Sequence, residues 1–364
     1  MALRFIEGFD HYSQHTPGSP GVTQTGESFF KKWTGTFGTT TWATPAMWNA
    51  LSIDAYNARQ SPGQGLSVGH TVIKPYKSLP GAVTDTLVFG VAMLFNLVSG
   101  APASVFMGFL DNVSEQVSLR MDASGHLLFS RNGTTLATST NVFSPGVWYY
   151  IEMKVKVHNT TGTYEVRVNG TATGWIPAAT GANTRATTLN QITGIFLGSP
   201  ITNNFTLIDD LYVLDTTGSA NNDFLGPQMV ATLRPSAPGT STMFIPNFGK
   251  NFSNVNDIVP DNDGTFNASV TASDVDTFAF VDAPLAAGVI AGIQRVIYAK
   301  QDSGAQRVLA PVQRDGGGNH VGASVNLSTS YLYFFDCLDV DPNTGAAYTI
   351  ANLNAAEFGY KLIS

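Results

Sequence analysis

The sequence feature that most constrains the fold is the segment Trp148–Gly170, WYYIEMKVKVHNTTGTYEVRVNG. Apolar residues occupy every second position from Tyr149 to Val157, and mostly charged residues stand between them. The same alternation returns in the run YEVRV after a polar turn at 159–162. Two adjacent runs with a period of two predict a long antiparallel hairpin that buries one face.

The charged positions of this hairpin are predicted to form its solvent face. They are Glu152, Lys154 and Lys156 on the first strand and Glu165 and Arg167 on the second. Opposite charges would stabilise the hairpin by roughly a few tenths of a kcal/mol per cross-strand pair if the register aligns them. A charged outer face also opposes edge-to-edge association of sheets.

The rest of the chain continues this β pattern. Short strand-like runs separated by turn signals, such as Asn132-Gly133, fill the first 220 residues without a helical pattern. A chain of 364 residues has room for two domains, and the Pro and Gly residues of 235–239 indicate a junction. Further runs between 277 and 362 predict a second sandwich, with a helical turn at 351–356. The predicted fold class is all-β, with two antiparallel β-sandwich domains.

Composition and charge exclude several classes of partner. Net charge is −7 without a basic run, so we expect no nucleic-acid binding. No apolar stretch reaches the roughly 20 residues of a membrane span, so we expect no membrane insertion. Cys337 is the single cysteine, which excludes an intrachain disulfide, fits a reducing cytoplasm and predicts a small buried apolar residue. The opening MALRFIEGFDHY lacks a signal-peptide pattern.

Catalytic patterns are missing from the sequence. A jelly-roll hydrolase would carry two carboxylates on one strand, about 5 Å apart. The corresponding strand, Tyr150–Lys156, holds Glu152 and then two lysines. There is no nucleophile elbow, and the Gly-rich run Asp315–Asn319 is predicted to be a hairpin tip rather than a phosphate loop. We therefore expect no catalytic residue and no enzymatic activity.

Two acidic loops have oxygen atoms that could hold calcium. Asp339, Asp341 and Asn343 stand at alternate positions, as in calcium loops, but the following glycine comes one place late and no closing Glu follows. A plain turn is favoured there. Asp209 and Asp210 could hold calcium at a sugar site, although capping of backbone amides by one of them is favoured.

Histidines and aromatic residues near the N-terminus support no site. His11 and His15 are four residues apart, but they lie in a Pro- and Gly-rich loop, so no metal is predicted there. Six large aromatic residues are predicted to be core, with sugar stacking by one of the tryptophans as the alternative: Phe29, Phe30, Trp33, Phe37, Trp42 and Trp48. No cofactor and no metal is predicted, and no ligand-binding residue is assigned.

The order of these features resembles concanavalin A-like jelly rolls of the laminin-G type. In that family a tryptophan begins the strand, here Trp148, and an Asn-Gly pair closes the hairpin, here Asn169-Gly170. An Ile-Asp-Asp strand, here within Leu207–Asp215, ends the domain. The resemblance implies that residues 1–226 form such a jelly roll.

Other segments resemble virion proteins of tailed bacteriophages. These are Ile208–Gly226 and the C-terminal runs DPNTGAAYT, from Asp341, and LNAAEFGYK, from Leu353. The resemblance implies a structural, non-enzymatic virion protein made in the host bacterial cytoplasm. It would be a tail-fibre or tail-tip component whose lectin-like domain contacts a host-surface polysaccharide.

In such proteins a jelly roll precedes a β-sandwich, so residues 227–364 would serve attachment or oligomerisation. The implied partners are other virion proteins and further copies of this chain. The alternative is a capsid decoration or head-fibre protein without glycan binding.

Overall fold

The computed structural model describes residues 2–12, 29, 31–37, 51–54, 58–60, 63–69, 74–97, 104–201, 205–302 and 304–364. Antiparallel strands make up nearly all of the regular structure there, which confirms the predicted all-β class. The chain divides into two units, Ala2–Val230 and Ala231–Ser364. The sequence prediction placed this boundary after Gly226.

Two antiparallel sheets form the N-terminal unit. The strands of the first, eight-stranded sheet are β1 (Leu3–Glu7), β3 (Leu51–Asp54), β4 (Gly65–Val68), β6 (Thr86–Phe95), β11 (Trp148–Lys156), β12 (Gly162–Val168), β13 (Thr171–Ala182) and β15 (Thr206–Asp215). The strands of the seven-stranded sheet are β2 (Gly35–Phe37), β5 (Lys74–Ser78), β7 (Ser104–Asp111), β8 (Ser114–Met121), β9 (His126–Arg131), β10 (Thr134–Val142) and β14 (Gly194–Leu197).

The spatial order of strands explains why some of them read as continuous apolar runs. The first sheet has the order β13-β12-β11-β6-β15-β4-β3, with β1 paired to β15, and the second has the order β10-β9-β8-β7-β14-β5-β2. Strand β6, TLVFGVAMLF, lies between β11 and β15 and is buried along nearly its whole length. A strand buried on both faces has no polar alternation, because neither face meets water.

The predicted hairpin is present as β11 and β12. Its register pairs Glu152 with Arg167 and Lys154 with Glu165, so opposite charges do align across the strands. The prediction of a fully solvent-exposed charged face is wrong at one position, because Glu152 has no exposed surface. A later segment of the chain covers it.

Aromatic residues from both sheets meet in the core of the sandwich. Phe89 of β6 contacts Phe109 of β7 with ring centroids 6.1 Å apart, and Phe95 contacts Phe106 at 5.2 Å. Because side chains alternate along a strand, residues paired with Phe89, such as Met153, face this core as well.

A buried group of charges joins the two sheets near β1. Glu7 of β1 forms an ion pair with Lys32, whose Nζ lies 3.0 Å from Oε2, and Tyr12 donates to the same carboxylate at 2.8 Å. Lys77 of β5 donates to the Lys32 carbonyl oxygen. Against the effect of burial, the charges of Lys32 and His11 lower the pKa of Glu7, and burial lowers the pKa of Lys77 to about 8.

The predicted aromatic core is confirmed for the two residues whose side chains the structure describes, Phe29 and Trp33. Both are buried, and their rings stack at 5.3 Å. The other members of that prediction lie outside the described side chains: Phe30, Phe37, Trp42 and Trp48.

The C-terminal unit is a smaller β-structure. Its strands are β16 (Pro235–Thr242), β17 (Ile245–Pro246), β18 (Asn267–Ala268), β19 (Val275–Phe280), β20 (Ile293–Ala299), β21 (Val308–Asp315), β22 (Gly318–Val321), β23 (Val325–Asn326), β24 (Leu332–Leu338) and β25 (Glu357–Leu362). A 3-10 turn spans Asn251–Asn254, and helix α1 spans Ile350–Ala355 with Thr349 as its N-cap.

A six-stranded sheet with the order β16-β19-β25-β21-β22, and with β23 beside β21, forms the main layer of this unit. The two-stranded ribbon β20–β24 forms a second layer, because Ile297 and Phe334 pack on the cluster that contains Leu309 and Leu362. Cys337 is buried, as predicted. The Gly-rich run after Asp315 is the tip of the β21–β22 hairpin, also as predicted.

None of the helices in the described part of the chain is long and apolar enough to cross a membrane.

We predict that Lys77 makes the stability of the N-terminal unit rise with pH in the alkaline range. Its folded pKa of about 8 lies below the ordinary lysine pKa of 10.5, so between these values the unfolded chain binds more protons. Relative to Lys77→Met, the wild-type free energy of unfolding should increase by about 1–3 kcal/mol between pH 8 and pH 10.5.

Urea unfolding followed by tryptophan fluorescence measures this, because all five tryptophans precede residue 231. Parallel pH profiles for the two proteins would contradict the prediction.

Candidate functional site

The outer face of the eight-stranded sheet, which points away from the seven-stranded sheet, carries a buried polar cluster. Strand pairing places Glu152 of β11, Gly90 of β6 and Tyr212 of β15 in one row across the sheet. The next row on the same face holds Tyr150, Ala92 and Asp209. The side chains of β11 and β15 therefore meet over a floor that has almost no side chains of its own.

Gly90 is required at the centre of this floor. A Cβ atom there would lie 2.3 Å from Cε1 of Tyr212, much closer than van der Waals contact. The tyrosine ring therefore rests on the β6 backbone and points its hydroxyl group at β11. A glycine inside a strand often marks such a close approach.

Tyr212 and Glu152 form a short hydrogen bond. The tyrosine hydroxyl donates to Oε1 of Glu152 at 2.5 Å, and Glu152 is wholly buried. Among the described residues, no donor reaches the other carboxyl oxygen, Oε2. Burial raises the pKa of Glu152, against the opposing effect of its hydrogen bond to Tyr212.

Beside this pair, Arg59 holds two adjacent aspartates. Its guanidinium group lies 2.9 Å from Oδ2 of Asp210 and stacks 5.3 Å from the Tyr150 ring centre. Its backbone N–H donates to Oδ2 of Asp209 at 2.9 Å. Burial raises the pKa of both carboxyl groups, and the neighbouring Asp210 raises that of Asp209 further.

A bulge in β15 explains how two adjacent residues can both turn into the cluster. The pairing register with β6 shifts between Asp209 and Tyr212, and Asp210 has a φ of +53°. Aspartate tolerates this left-handed conformation better than most residues. The Asp210 carbonyl oxygen, freed from regular pairing, accepts a hydrogen bond from the Tyr150 hydroxyl at 3.0 Å.

Residues 223–230, which we call the strap, lie across this face. Its first half contacts the hairpin: Asp223 pairs with Lys154 at 3.0 Å, and the Phe224 ring lies 4.1 Å from the Arg167 guanidinium carbon. The strap therefore covers charged positions of β11 and β12 that the sequence predicted to face water.

The remainder of the strap binds the buried cluster through its backbone. Leu225 N–H donates to the Tyr212 hydroxyl at 3.2 Å, and Gly226 N–H donates to Oε1 of Glu152 at 2.8 Å. The Gln228 carbonyl oxygen accepts from Arg59 at 2.7 Å, and Val230 N–H donates to Oδ1 of Asp210 at 2.7 Å.

These contacts show which groups the carboxylates of Asp209 and Asp210 bind in this structure. Their carboxylate oxygens accept hydrogen bonds from backbone N–H groups at residues 59, 210 and 230 and from the Arg59 side chain. The favoured expectation, amide capping, is what the structure shows. No group of three potential metal-ligating side chains occurs within the described ranges.

The loop with Asp339, Asp341 and Asn343 is a hydrogen-bonded turn. Asp341 accepts from Asn343 N–H at 3.0 Å and from the Gln313 side chain at 3.1 Å. The Gly345 N–H donates back to the Asp341 carbonyl oxygen at 2.8 Å. The carboxylate thus organises its own loop.

Of the two N-terminal histidines, only His11 lies in the part of the chain that the structure describes, and His15 falls outside it. The His11 ring is 3.2 Å from Nζ of Lys32 and 3.6 Å from the Glu7 carboxylate. It belongs to the charge group between the sheets.

Sequence reasoning missed the cluster, although one signal was available. It treated Glu152 as an exposed charge, and it gave Tyr212, Arg59 and the strap no role. Gly90 is an isolated glycine in an otherwise apolar strand, a pattern that indicates close backbone approach. Nothing in the sequence shows that Tyr212 is the residue that approaches.

Comparison with known proteins found no matching protein-family model and no matching curated protein sequence. Among solved structures, the chain is similar to an alginate lyase from Aplysia kurodai, with 14% identity and a TM-score of 0.39 over 59% of this chain and 98% of that one. The alginate lyase Aly36B has 12% identity and a TM-score of 0.37, over 59% of this chain and 98% of that one. The catalytic domain of a glycoside hydrolase family 131 protein from Coprinopsis cinerea has 13% identity and a TM-score of 0.35, over 62% of this chain and 98% of that one.

The prediction that this chain has no enzymatic activity is contradicted: the similar solved structures are two alginate lyases and a glycoside hydrolase catalytic domain. The prediction was based on the lack of two carboxylates along a single strand. The structure instead places carboxyl groups of two strands on one face of the sheet, Glu152 on β11 and Asp209 and Asp210 on β15, with β6 between them. The single-strand criterion therefore cannot exclude catalysis.

We predict that Gly90→Ala destabilises the N-terminal unit by about 1–3 kcal/mol, the usual cost of overpacking. The added methyl group would displace the Tyr212 ring. Urea unfolding measures the change. In a Tyr212→Leu background the same substitution should cost less, and equal costs in both backgrounds would contradict the clash.

We also predict that Glu152 makes the stability of this unit fall as pH rises. Its folded pKa is raised, so above pH 4.5 the folded state holds a proton that the unfolded chain releases. Glu152→Gln keeps an acceptor for Gly226 N–H but does not titrate. From pH 4.5 upward, wild type should lose stability relative to this variant in urea unfolding, and a constant difference would contradict burial of an ionisable group.

Proposed function

We propose that this chain is a structural protein of a virion, a tail-fibre or tail-tip component. In this proposal the N-terminal jelly roll contacts host-surface glycan and the C-terminal unit attaches or oligomerises. The sequence resemblance to phage virion proteins motivates the proposal. The distribution of exposed apolar side chains is the structural observation that carries it.

Large exposed apolar side chains are concentrated in the C-terminal unit. Twelve occur there among the described residues, against seven in the longer N-terminal unit. The twelve are Met243, Ile245, Phe248, Ile258, Val270, Val281, Leu285, Val289, Val296, Val321, Leu332 and Ile363. An accumulation of exposed apolar surface is typical of protein–protein interfaces, so the C-terminal unit is the one suited to assembly.

The N-terminal unit offers a different surface. Strand β10, TTLATSTNV, is largely exposed and polar, and β13 is exposed over much of its length. Threonine and asparagine side chains supply both donors and acceptors without charge. Such a surface suits contact with the hydroxyl groups of a polysaccharide.

A second role is favoured by one observation. The strap closes the outer face of the eight-stranded sheet, with Glu152 fully buried beneath it. A sheet face occupied by its own chain suits a capsid decoration or head-fibre protein, which needs stable surfaces and no glycan site.

Labelling of intact particles with a gold-conjugated antibody tests these roles against each other. Label at the tail end, together with competition by the purified protein for adsorption to host cells, is the result expected of a tail component. Label spread over the head, without competition, would replace it with the decoration role. Absence of label from purified particles would overturn both.

We predict that the exposed apolar residues of the C-terminal unit mediate self-association. Ile245 and Phe248 are 72% and 74% exposed. In sedimentation velocity at micromolar concentration, wild type should form an oligomer, and the Ile245→Ser/Phe248→Ser variant should shift towards the monomer. Val113→Ser changes a residue of the N-terminal unit that is 63% exposed, and it should leave the oligomer unchanged. A monomeric wild type would contradict the prediction.

A further inference from the structure

The contacts between the strap and the sheet are of the kind that a bound ligand makes. In the strap, the Asp223 carboxylate lies on the ammonium group of Lys154, and the Phe224 ring lies on the guanidinium group of Arg167. The backbone donors of the strap satisfy a buried carboxyl group and a tyrosine hydroxyl. We propose that the sheet face under residues 223–226 is a binding site for an acidic saccharide, which these residues occupy in place of the ligand.

This inference rests on the proposed contact with host-surface glycan and names the class of glycan and the place of contact. It also reconciles that contact with the closed sheet face, because the ligand displaces the strap.

The charges of the face select an anionic ligand. On the outer side of β11 and β12, Lys154, Lys156 and Arg167 are opposed by Glu165, which pairs with Arg167 at 2.7 Å. Glu152 adds little negative charge as long as the strap or a ligand covers it, because burial favours its protonated form. Displacement of Asp223 therefore leaves an excess of positive charge, which a uronate carboxylate would balance.

The hydrogen-bonding groups of the sheet beneath the strap favour a ligand with hydroxyl groups. Oε1 of Glu152 and the Tyr212 hydroxyl receive N–H donors from Gly226 and Leu225, and both acceptors need replacement donors once the strap leaves. Oε2 of Glu152 is buried without a hydrogen-bond partner among the described residues. An unsatisfied buried oxygen in a folded protein calls for an explanation, and a saccharide hydroxyl group would supply the partner, because a hydroxyl group both donates and accepts.

The strap is held in a way that permits exchange. Asp223 has 62% of its side chain exposed, and exposed ion pairs contribute little to stability. The Phe224 ring is only half-buried. A uronate can replace the Asp223 carboxylate, and its hydroxyl groups can replace the N–H donors of Leu225 and Gly226, so it can compete with the strap.

Isothermal titration of the full chain with a galacturonic acid tetramer tests the site. Phe224→Ala loosens the strap and should bind the tetramer at least tenfold more tightly than wild type. Asp223→Asn, a milder change, should shift affinity in the same direction. Phe205→Ala removes a phenylalanine outside the strap that is 46% exposed, and this variant should bind as wild type does.

Two further measurements locate the binding. Lys154→Met combined with Phe224→Ala removes the ammonium group that Asp223 contacts and should lose most of the gained affinity, and a neutral glucose tetramer should bind at least tenfold more weakly than the acidic one. Equal binding of the two tetramers would overturn the acidic class. Equal affinity of Phe224→Ala and wild type, or no binding by either, would overturn the covered site, while particle labelling and host adsorption would still decide the proposed function independently.

Discussion

Glu152 is a carboxyl group in the middle of a sheet that has no contact with water, and the outer face of the N-terminal unit is arranged around it. Burial of an ionisable group is unfavourable unless hydrogen bonds compensate or the group stays neutral. Tyr212 and the Gly226 N–H supply hydrogen bonds, and the raised pKa favours the neutral form. Gly90 makes this arrangement possible, because any larger residue would occupy the place of the tyrosine ring.

The strap follows from the same constraint. Without it, Glu152, Tyr212 and the Arg59–Asp210 pair would face water and lose part of their hydrogen bonding. Each strap contact is weak by itself: an exposed ion pair is worth about 0–1 kcal/mol, and a typical hydrogen bond about 0.5–1.5 kcal/mol. Together they fasten a segment that looks like a linker onto the sheet, and the N-terminal unit therefore extends to Val230.

The two units bury their apolar side chains in different ways. The N-terminal unit buries aromatic residues between two large sheets and adds a buried charge group, Glu7 with Lys32 and Lys77, that links β1 to β5. The C-terminal unit has one large sheet with a two-stranded ribbon over it, and it leaves many apolar side chains exposed. The C-terminal unit therefore gains more from burying its exposed apolar side chains against another protein surface.

Local alternation in the sequence was sufficient to predict the all-β class, the β11–β12 hairpin and the β21–β22 turn, because the period of two and the turn residues act within a few positions. The polar cluster could not be predicted in this way. Glu152 and Tyr212 are 60 residues apart and meet only because β6 lies between their strands. The sequence by itself determined which residues of β11 face the core. Only the tertiary structure decided that the opposite face is also buried, because burial there depends on a strap that returns from more than 70 residues away.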